Sequence, residues 1–218
     1  MGKYQGGKKM KLAVICANGK AGRLIVKEAV NRGLDVTAVV RENNQSDAQQ
    51  VLTKDLFDLT SEDLKDFDVV IDAFGAWTED TLPLHSTSLK HLCDILSGTE
   101  TRLLVVGGAD SLYINPEHTA VLSDSPDFPP QFLPLAKAQG RALEKLRNRN
   151  DVKWTLISPA GDFRADGERT GKYILGGEEL TLNSKGESVI SYADYAIAMI
   201  DEATNGSHIR ERISVVSE

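Results

Sequence analysis

The chain has 218 residues, of which 41 % are apolar and 26 % charged, and 25 Lys and Arg against 32 Asp and Glu give a formal net charge of −7. This is the composition of a globular protein, and its acidic balance argues against nucleic acid as a partner. Two cysteines cannot build a disulfide framework. No apolar run reaches the ~20 residues that a transmembrane helix needs, and no signal peptide is visible. We therefore expect a cytoplasmic protein with a small-molecule partner, and the sequence leaves monomer and dimer open.

The first nine residues differ from the rest of the chain. They hold three lysines, three glycines and no apolar stretch, and Met10 stands directly before the first strand-like run. We interpret residues 1–9 as a tag or disordered extension. Residues 10–218 are predicted to form a single domain, since no linker-like stretch divides them.

Short β-branched runs alternate with longer helical patterns from residue 11 onward. Apolar runs predict strands at 12–15, 36–40, 51–52, 69–74, 103–106, 154–157 and 212–216. Helical spacing predicts helices at 20–32, 62–65, 84–96, 132–146 and 192–203, the short one capped by Ser61. This alternation predicts a Rossmann-type α/β fold, a doubly wound and mostly parallel sheet with helices on both faces.

The pattern changes after Pro159. Residues 161–186 are rich in glycine and charge, which predicts an irregular segment with short hairpins. We expect about 160–190 to form a small substrate-side lobe. Within it, the stretch 162–172 either closes over a substrate or is only a surface loop.

The turn after the first strand carries the main functional signal, because ligands of such folds bind at the carboxyl ends of the strands. Gly19 would let the backbone approach a pyrophosphate, and Gly22 would let the helix pack closely on the strand. The alternative is that both glycines only serve a tight turn, and Cys16 is interpreted as a small buried filler rather than a reactive thiol. The predicted pyrophosphate-binding residues are Ala17, Asn18, Gly19, Lys20, Ala21 and Gly22.

The end of the second strand predicts which dinucleotide binds. An acidic residue there favours NAD, whereas an arginine pairs with the 2′-phosphate of NADP. Because Arg41 comes first, NADP(H) is preferred and NAD(H) is possible, with a solvated loop arginine as the alternative. Asp55 and Leu56 follow the third strand and are expected to flank the adenine. Ala73, Phe74 and Gly75, after the fourth strand, are expected to line the central part of the cofactor.

Five stretches together resemble a known family over nearly the whole range from Met10 to Glu218. They are residues 17–22 (ANGKAG), 40–41 (VR), 106–112 (VGGADSL), 154–160 (WTLISPA) and 167–173 (GERTGKY). They resemble the atypical short-chain dehydrogenase/reductases, in the NAD(P)H-binding or NADH-flavin reductase-like branch related to NmrA-like proteins. The resemblance implies pyrophosphate binding at Gly19 and Gly22 and a 2′-phosphate contact at Arg41. It also brings Gly108 and Pro159, which lie in two of these stretches, among the cofactor-binding residues.

The resemblance implies two catalytic candidates and one departure. Ser111 follows the fifth strand, where related reductases place a hydroxyl near the substrate. Lys137 falls where they carry the lysine of a Tyr-x-x-x-Lys pair, a lysine that also reaches the cofactor ribose. Four residues earlier, however, this chain has Leu133. Tyr113, soon after the fifth strand, could substitute for the tyrosine from another backbone position.

The missing tyrosine decides between kinds of chemistry. Reduction of a carbonyl leaves an alkoxide that a positioned acid must protonate, whereas a flavin spreads the new charge over its rings. The sequence therefore favours an NAD(P)H-dependent oxidoreductase that reduces free flavin, with FMN or FAD as substrate, or a quinone-like acceptor. A non-catalytic NADP(H)-binding redox sensor fits the same absence. Sugar-nucleotide epimerase chemistry is less favoured, since only about sixty residues follow Pro159.

The four histidines predict no metal site. They are His85, His91, His118 and His208, which are scattered and show no metal-ligand spacing with either cysteine.

Overall fold

The computed structural model of the protein describes residues 9–218. The predicted extension at residues 1–9 lies, apart from Lys9, outside the described residues. The strands are β1 Lys11–Ile15, β2 Asp35–Val40, β3 Gln50–Thr53, β4 Val69–Asp72, β5 Arg102–Val106, β6 Lys153–Ser158, β7 Asp162–Arg164, β8 Ile174–Gly176, β9 Val189–Ser191 and β10 Glu211–Val216. The helices are α1 Lys20–Asn31, α2 Ser61–Leu64, α3 Leu84–Leu96, α4 Leu133–Arg147 and α5 Tyr192–Asn205.

Eight of these strands form one sheet in the order β3-β2-β1-β4-β5-β6-β10-β8. All neighbouring pairs are parallel except β10 and β8, which are antiparallel. The chain runs outward from β1 to β3, then crosses back and runs the other way from β4. The predicted doubly wound, mostly parallel fold is confirmed, and its switch point lies between the carboxyl ends of β1 and β4.

Alternation along the strands builds two apolar cores, one on each face of the sheet. On β1, Leu12 and Val14 face the layer that contains α1 and α5, while Ala13 and Ile15 face the opposite layer. The second layer contains α3 and α4, whose buried leucines pack on β4 and β5. Strands buried on both faces read as continuous apolar runs, which is why the sequence predicted them well.

Two local predictions about element ends are wrong. The short helix α2 is capped by Thr60, not by Ser61, because the Thr60 side chain accepts from the Asp63 N–H while the Asp63 carboxylate accepts from the Thr60 N–H. The fourth strand ends at Asp72, not at residue 74. There the Asp72 carboxylate accepts a hydrogen bond from the Phe74 N–H (3.0 Å) and turns the chain away from the sheet.

The segment after β6 does not form the predicted hairpins. Its strands pair with later parts of the chain: β7 lies parallel to β9, and β8 adds to the edge of the main sheet beside β10. The fully buried Asp194 accepts hydrogen bonds from the Thr170 N–H and hydroxyl and from the Gly171 N–H at 2.7–3.1 Å. Residues 170–171 are therefore tied to the first turn of α5.

Among residues 9–218, no helix combines the length and the apolar character that a membrane crossing requires.

Candidate functional site

The turn between β1 and α1 presents unpaired backbone N–H groups at the switch point. Cys16, with φ of 60°, reverses the chain, and its N–H donates to the Val39 carbonyl at 3.0 Å. Gly19 is extended and begins the helix, and the Arg23 N–H is the first to bond back, to the Gly19 carbonyl at 2.9 Å. The N–H groups of residues 20–22 thus have no intrahelical acceptor. They lie at the positive end of the helix dipole, where an anion binds favourably.

Gly22 explains how α1 comes so close to the turn. A Cβ atom there would lie 2.6 Å from the Cys16 carbonyl oxygen and 3.0 Å from the Ala17 Cα, both backbone atoms that cannot turn aside. A Cβ at Gly19 would meet the Cys16 oxygen at 3.3 Å, a tight contact without a clash. The chain itself therefore demands glycine at position 22 far more than at position 19, where approach of a ligand stays the predicted reason.

The Asn18 side chain has a role that the sequence did not reveal. Its amide donates to the Asn43 carbonyl at 3.0 Å, and its Oδ1 accepts from the Gln45 N–H at 2.8 Å. Asn18 therefore joins the first turn to the loop after β2. That loop begins at Arg41, so the same residue holds together the two segments predicted to bind the dinucleotide.

Arg41 lies at the carboxyl end of β2 with an exposed guanidinium. Its side chain is 80 % exposed, and its Nε lies 4.0 Å from Asp55 Oδ2, a long ion pair that stabilises little. Asp55 also accepts from the Phe57 N–H at 2.9 Å. The Leu56 side chain is buried in the apolar core, and its expected place beside the adenine stays a prediction.

A small cleft of about 40 Å³ opens between the ends of β4 and β5 and the helices α3 and α4. It brings together the predicted Phe74, Gly108 and Ser111 with three polar residues that the sequence did not predict, Asp72, His85 and Gln139. Ala73 and Gly75 flank Phe74 in the chain without lining the cleft, and Pro159 is buried directly after β6.

Asp72 and His85 are the titratable groups of this cleft. Asp72 is 4 % exposed, and burial raises the pKa of its carboxyl to about 6. His85 Nε2 lies 3.0 Å from the Ala76 carbonyl and so carries the proton, while burial lowers the pKa of the ring. The His85 ring meets the Phe74 ring edge-on, with centroids 5.6 Å apart. A polar residue closing the apolar run of β4 is the signal that could have identified Asp72.

Ser111 is held in place by the buried Arg212. The Ser111 hydroxyl and carbonyl oxygens accept from the Arg212 guanidinium at 3.3 and 3.1 Å, and the buried Arg212 pairs with Glu178 at 2.8 Å through its Nε. The hydroxyl accepts one of these bonds and keeps a second lone pair. Its proton stays available to the cleft.

Lys137 does not line this cleft. It lies on the neighbouring side of α4, in an open groove of about 510 Å³ that also touches Ser111. The structure thus places the two predicted catalytic residues on one groove and brings only Ser111 to the cleft with Gly108.

The described tyrosines lie elsewhere. The Tyr195 hydroxyl donates to the Ile157 carbonyl at 2.7 Å in the core, and the Tyr173 hydroxyl donates to Asp201 at 2.8 Å. Tyr113 stacks on the His118 ring at 4.2 Å. Among residues 9–218, no tyrosine lines the cleft or the groove, so the structure gives Tyr113 no place as a substitute acid there.

Cys16 and possible metal ligands add no further chemistry. Burial raises the pKa of the Cys16 thiol to about 12, which makes it unreactive, as expected for a filler. In the part of the chain that the structure describes, no three His, Cys, Asp or Glu side chains gather as metal ligands.

Comparison with known proteins gives consistent matches over the length of the chain. The model of a family described as NAD(P)H-binding matches residues 16–205. The Bacillus subtilis protein YwnB is 47 % identical over 212 residues, which cover 96 % of this chain and 99 % of YwnB.

Solved structures of similar proteins match the chain over nearly its whole length. SP1627 from Streptococcus pneumoniae, named a "putative NADH-flavin reductase", is 59 % identical with a TM-score of 0.94, over 96 % of this chain and 100 % of SP1627. A Bacteroides thetaiotaomicron protein named a "putative epimerase" is 36 % identical with a TM-score of 0.83, over 96 % of this chain and 98 % of that chain. The resemblance predicted from the sequence is confirmed: this chain belongs to the NAD(P)H-binding family.

Proposed function

We propose that this chain is an NAD(P)H-dependent oxidoreductase that transfers hydride directly to a free flavin or a quinone-like acceptor, with NADP(H) as the preferred dinucleotide. The observation that carries the proposal is the pairing of a dinucleotide-type turn with a cleft that lacks a tyrosine among the described residues. The name of SP1627 supports the same class of reaction.

The residues of the first turn fit a dinucleotide. Three N–H groups at residues 20–22 without intrahelical acceptors suit a diphosphate, and the missing Cβ of Gly22 keeps the helix close enough to present them. The exposed Arg41 at the end of β2 suits a 2′-phosphate, because its ion pair with Asp55 is long. Asn18 joins the loop of Arg41 to the turn, so the two proposed phosphate contacts lie on segments that are hydrogen-bonded to each other.

The nearby cleft of about 40 Å³ is too small to enclose a flavin, so a planar acceptor would stack at its mouth. A bound reduced nicotinamide supplies two electrons and one proton as hydride, and solvent supplies the second proton that a reduced flavin needs. The chain has to hold two flat rings together and exclude water between them, which is a proximity effect. Phe74, Gly108 and Ser111 line the cleft, and the Gln139 side chain packs so closely on Gly108 that an added Cβ would clash with Gln139 Oε1.

Turnover is the first test. Purified protein is expected to oxidise NADPH at 340 nm only when FMN, FAD or a quinone is added, with a lower KM for NADPH than for NADH. As a control, Lys90→Ala removes an exposed cation of α3 that pairs with Asp94, and its rates should match the wild type.

Absence of acceptor-dependent oxidation with either nicotinamide would overturn the proposal. Saturable NADP(H) binding without any turnover would favour the redox-sensor function instead, which the same missing tyrosine allows.

A further inference from the structure

A groove beside the cleft has a charge pattern that the proposed reaction does not yet use. It runs between α4 and the loop after β5, holds about 510 Å³ and shares Ser111 with the cleft. Because α4 presents Gln139, Ala142 and Leu143 to the cleft, groove and cleft lie on adjacent faces of the same helix. The groove is lined by Asp110, Ser111, Val121, Ser123, Ala136, Lys137, Gly140, Arg141, Glu144 and Lys145.

Three cations follow one another along this face of the helix. Lys137, Arg141 and Lys145 are four residues apart, so their side chains lie one above the other at intervals of about 6 Å. Within residues 9–218, none of the three has an ion-pair partner or a side-chain hydrogen bond. The groove also contains Glu144, yet its cations outnumber its acids by three to two in a chain of net charge −7. An anionic ligand would find partners here.

Asp110 marks a second kind of contact at the inner end of the groove. Its side chain is 8 % exposed, and its Oδ2 has no hydrogen-bond partner among the described residues. A buried carboxylate oxygen without a donor is costly, so its place on a ligand groove indicates a donor from the ligand. Hydroxyl groups of a ligand are suitable donors to Asp110, and Ser111 and Ser123 also line the groove.

We propose that this groove binds the ribityl phosphate chain of the flavin acceptor, with Asp110 accepting from its hydroxyls and Arg141, flanked by Lys137 and Lys145, binding its phosphate. The inference rests on the proposed function, and it names the substrate class as a phosphorylated flavin. Because the cleft of about 40 Å³ is too small for a flavin ring, the ring would lie at its mouth beside Ser111, and the ribityl chain would run from Ser111 along the groove. Riboflavin would lose the phosphate contact, and lumiflavin, which lacks the ribityl chain, would lose both contacts.

The test compares the three flavins by equilibrium binding. Oxidised FMN, riboflavin and lumiflavin are titrated, in the presence of NADP⁺, with wild type, Arg141→Glu and Asp110→Asn, and flavin fluorescence is followed. FMN is expected to bind at least about 10-fold more tightly than riboflavin. Arg141→Glu should remove this preference without changing riboflavin affinity. Asp110→Asn should weaken FMN and riboflavin but not lumiflavin.

The matched control is Lys65→Glu, which makes the same kind of charge reversal at an exposed lysine just before β4. That position precedes the amino end of β4, whereas the groove adjoins the loop after the carboxyl end of β5, so the FMN preference should persist. The groove proposal is overturned if FMN and riboflavin bind within about twofold of each other, or if Lys65→Glu acts like Arg141→Glu. These outcomes are independent of turnover: equal reduction of all three flavins would leave the proposed function standing, whereas phosphate-dependent binding without turnover would overturn the proposed function alone.

Discussion

Gly22→Ala is expected to lower the free energy of unfolding by about 3 kcal/mol and to weaken NADP⁺ binding by at least about 100-fold. The new methyl group would lie 2.6 Å from the Cys16 carbonyl oxygen and 3.0 Å from the Ala17 Cα. Since both are backbone atoms, α1 has to move away from the turn, and the N–H groups of residues 20–22 move with it. Urea unfolding and calorimetric titration measure the two effects.

The matched control is Gly177→Ala, because a Cβ at Gly177 meets nothing within 4 Å and its backbone is not left-handed. This variant should keep both stability and NADP⁺ affinity. If Gly22→Ala retains wild-type affinity, the turn does not hold the diphosphate in the way described.

Asp72→Asn is expected to stabilise the protein at neutral pH. Burial raises the pKa of Asp72 from 3.8 to about 6, so the folded state holds this proton more tightly than the unfolded chain. The wild type is therefore most stable with Asp72 protonated, and it loses about 2.4 kcal/mol as the pH rises from about 4 to 7. Asparagine can still accept from the Phe74 N–H but carries no charge, so the variant escapes this loss.

Urea unfolding of both proteins between pH 4 and 8 checks this effect. The free energy of unfolding of the variant minus that of the wild type should increase with pH. Asp63→Asn is the control, because Lys54 and Thr60 lower the pKa of Asp63 to about 2, well below this window. Above about pH 5, where Asp63 is ionised in the unfolded chain as well, its stability difference from the wild type should not depend on pH. A pH-independent difference for Asp72→Asn as well would show that Asp72 is not held in a desolvated site.

The apolar strands and the glycine turn could be predicted because each depends on neighbours in the sequence. A strand such as β1 is buried on both faces, so its sequence is a short apolar run that few other structures would explain. The turn with Gly19 and Gly22 follows directly after it. By contrast, Asp72, His85 and Gln139 come from three separate segments. Only the tertiary fold brings these three residues to one cleft, so no local sequence pattern predicts them.

The wrong predictions have similar causes. Ser and Thr are both common helix N-cap residues. Thr60 is the N-cap here because its side chain and backbone form reciprocal hydrogen bonds with Asp63. The hairpins predicted after Pro159 depend on local pairing, but β8 pairs instead with the longer strand β10 and becomes the edge of the sheet.

Calorimetric titration of the wild type and of Arg41→Ala with NADP⁺ and NAD⁺ tests the central claim, that the ends of β1 and β2 together bind a phosphorylated dinucleotide. The wild type should bind both, NADP⁺ more tightly. Arg41→Ala should weaken NADP⁺ by about 1.5–3 kcal/mol and leave NAD⁺ nearly unchanged. No saturable binding of either dinucleotide by the wild type, or an equal loss of both in Arg41→Ala, would contradict the account.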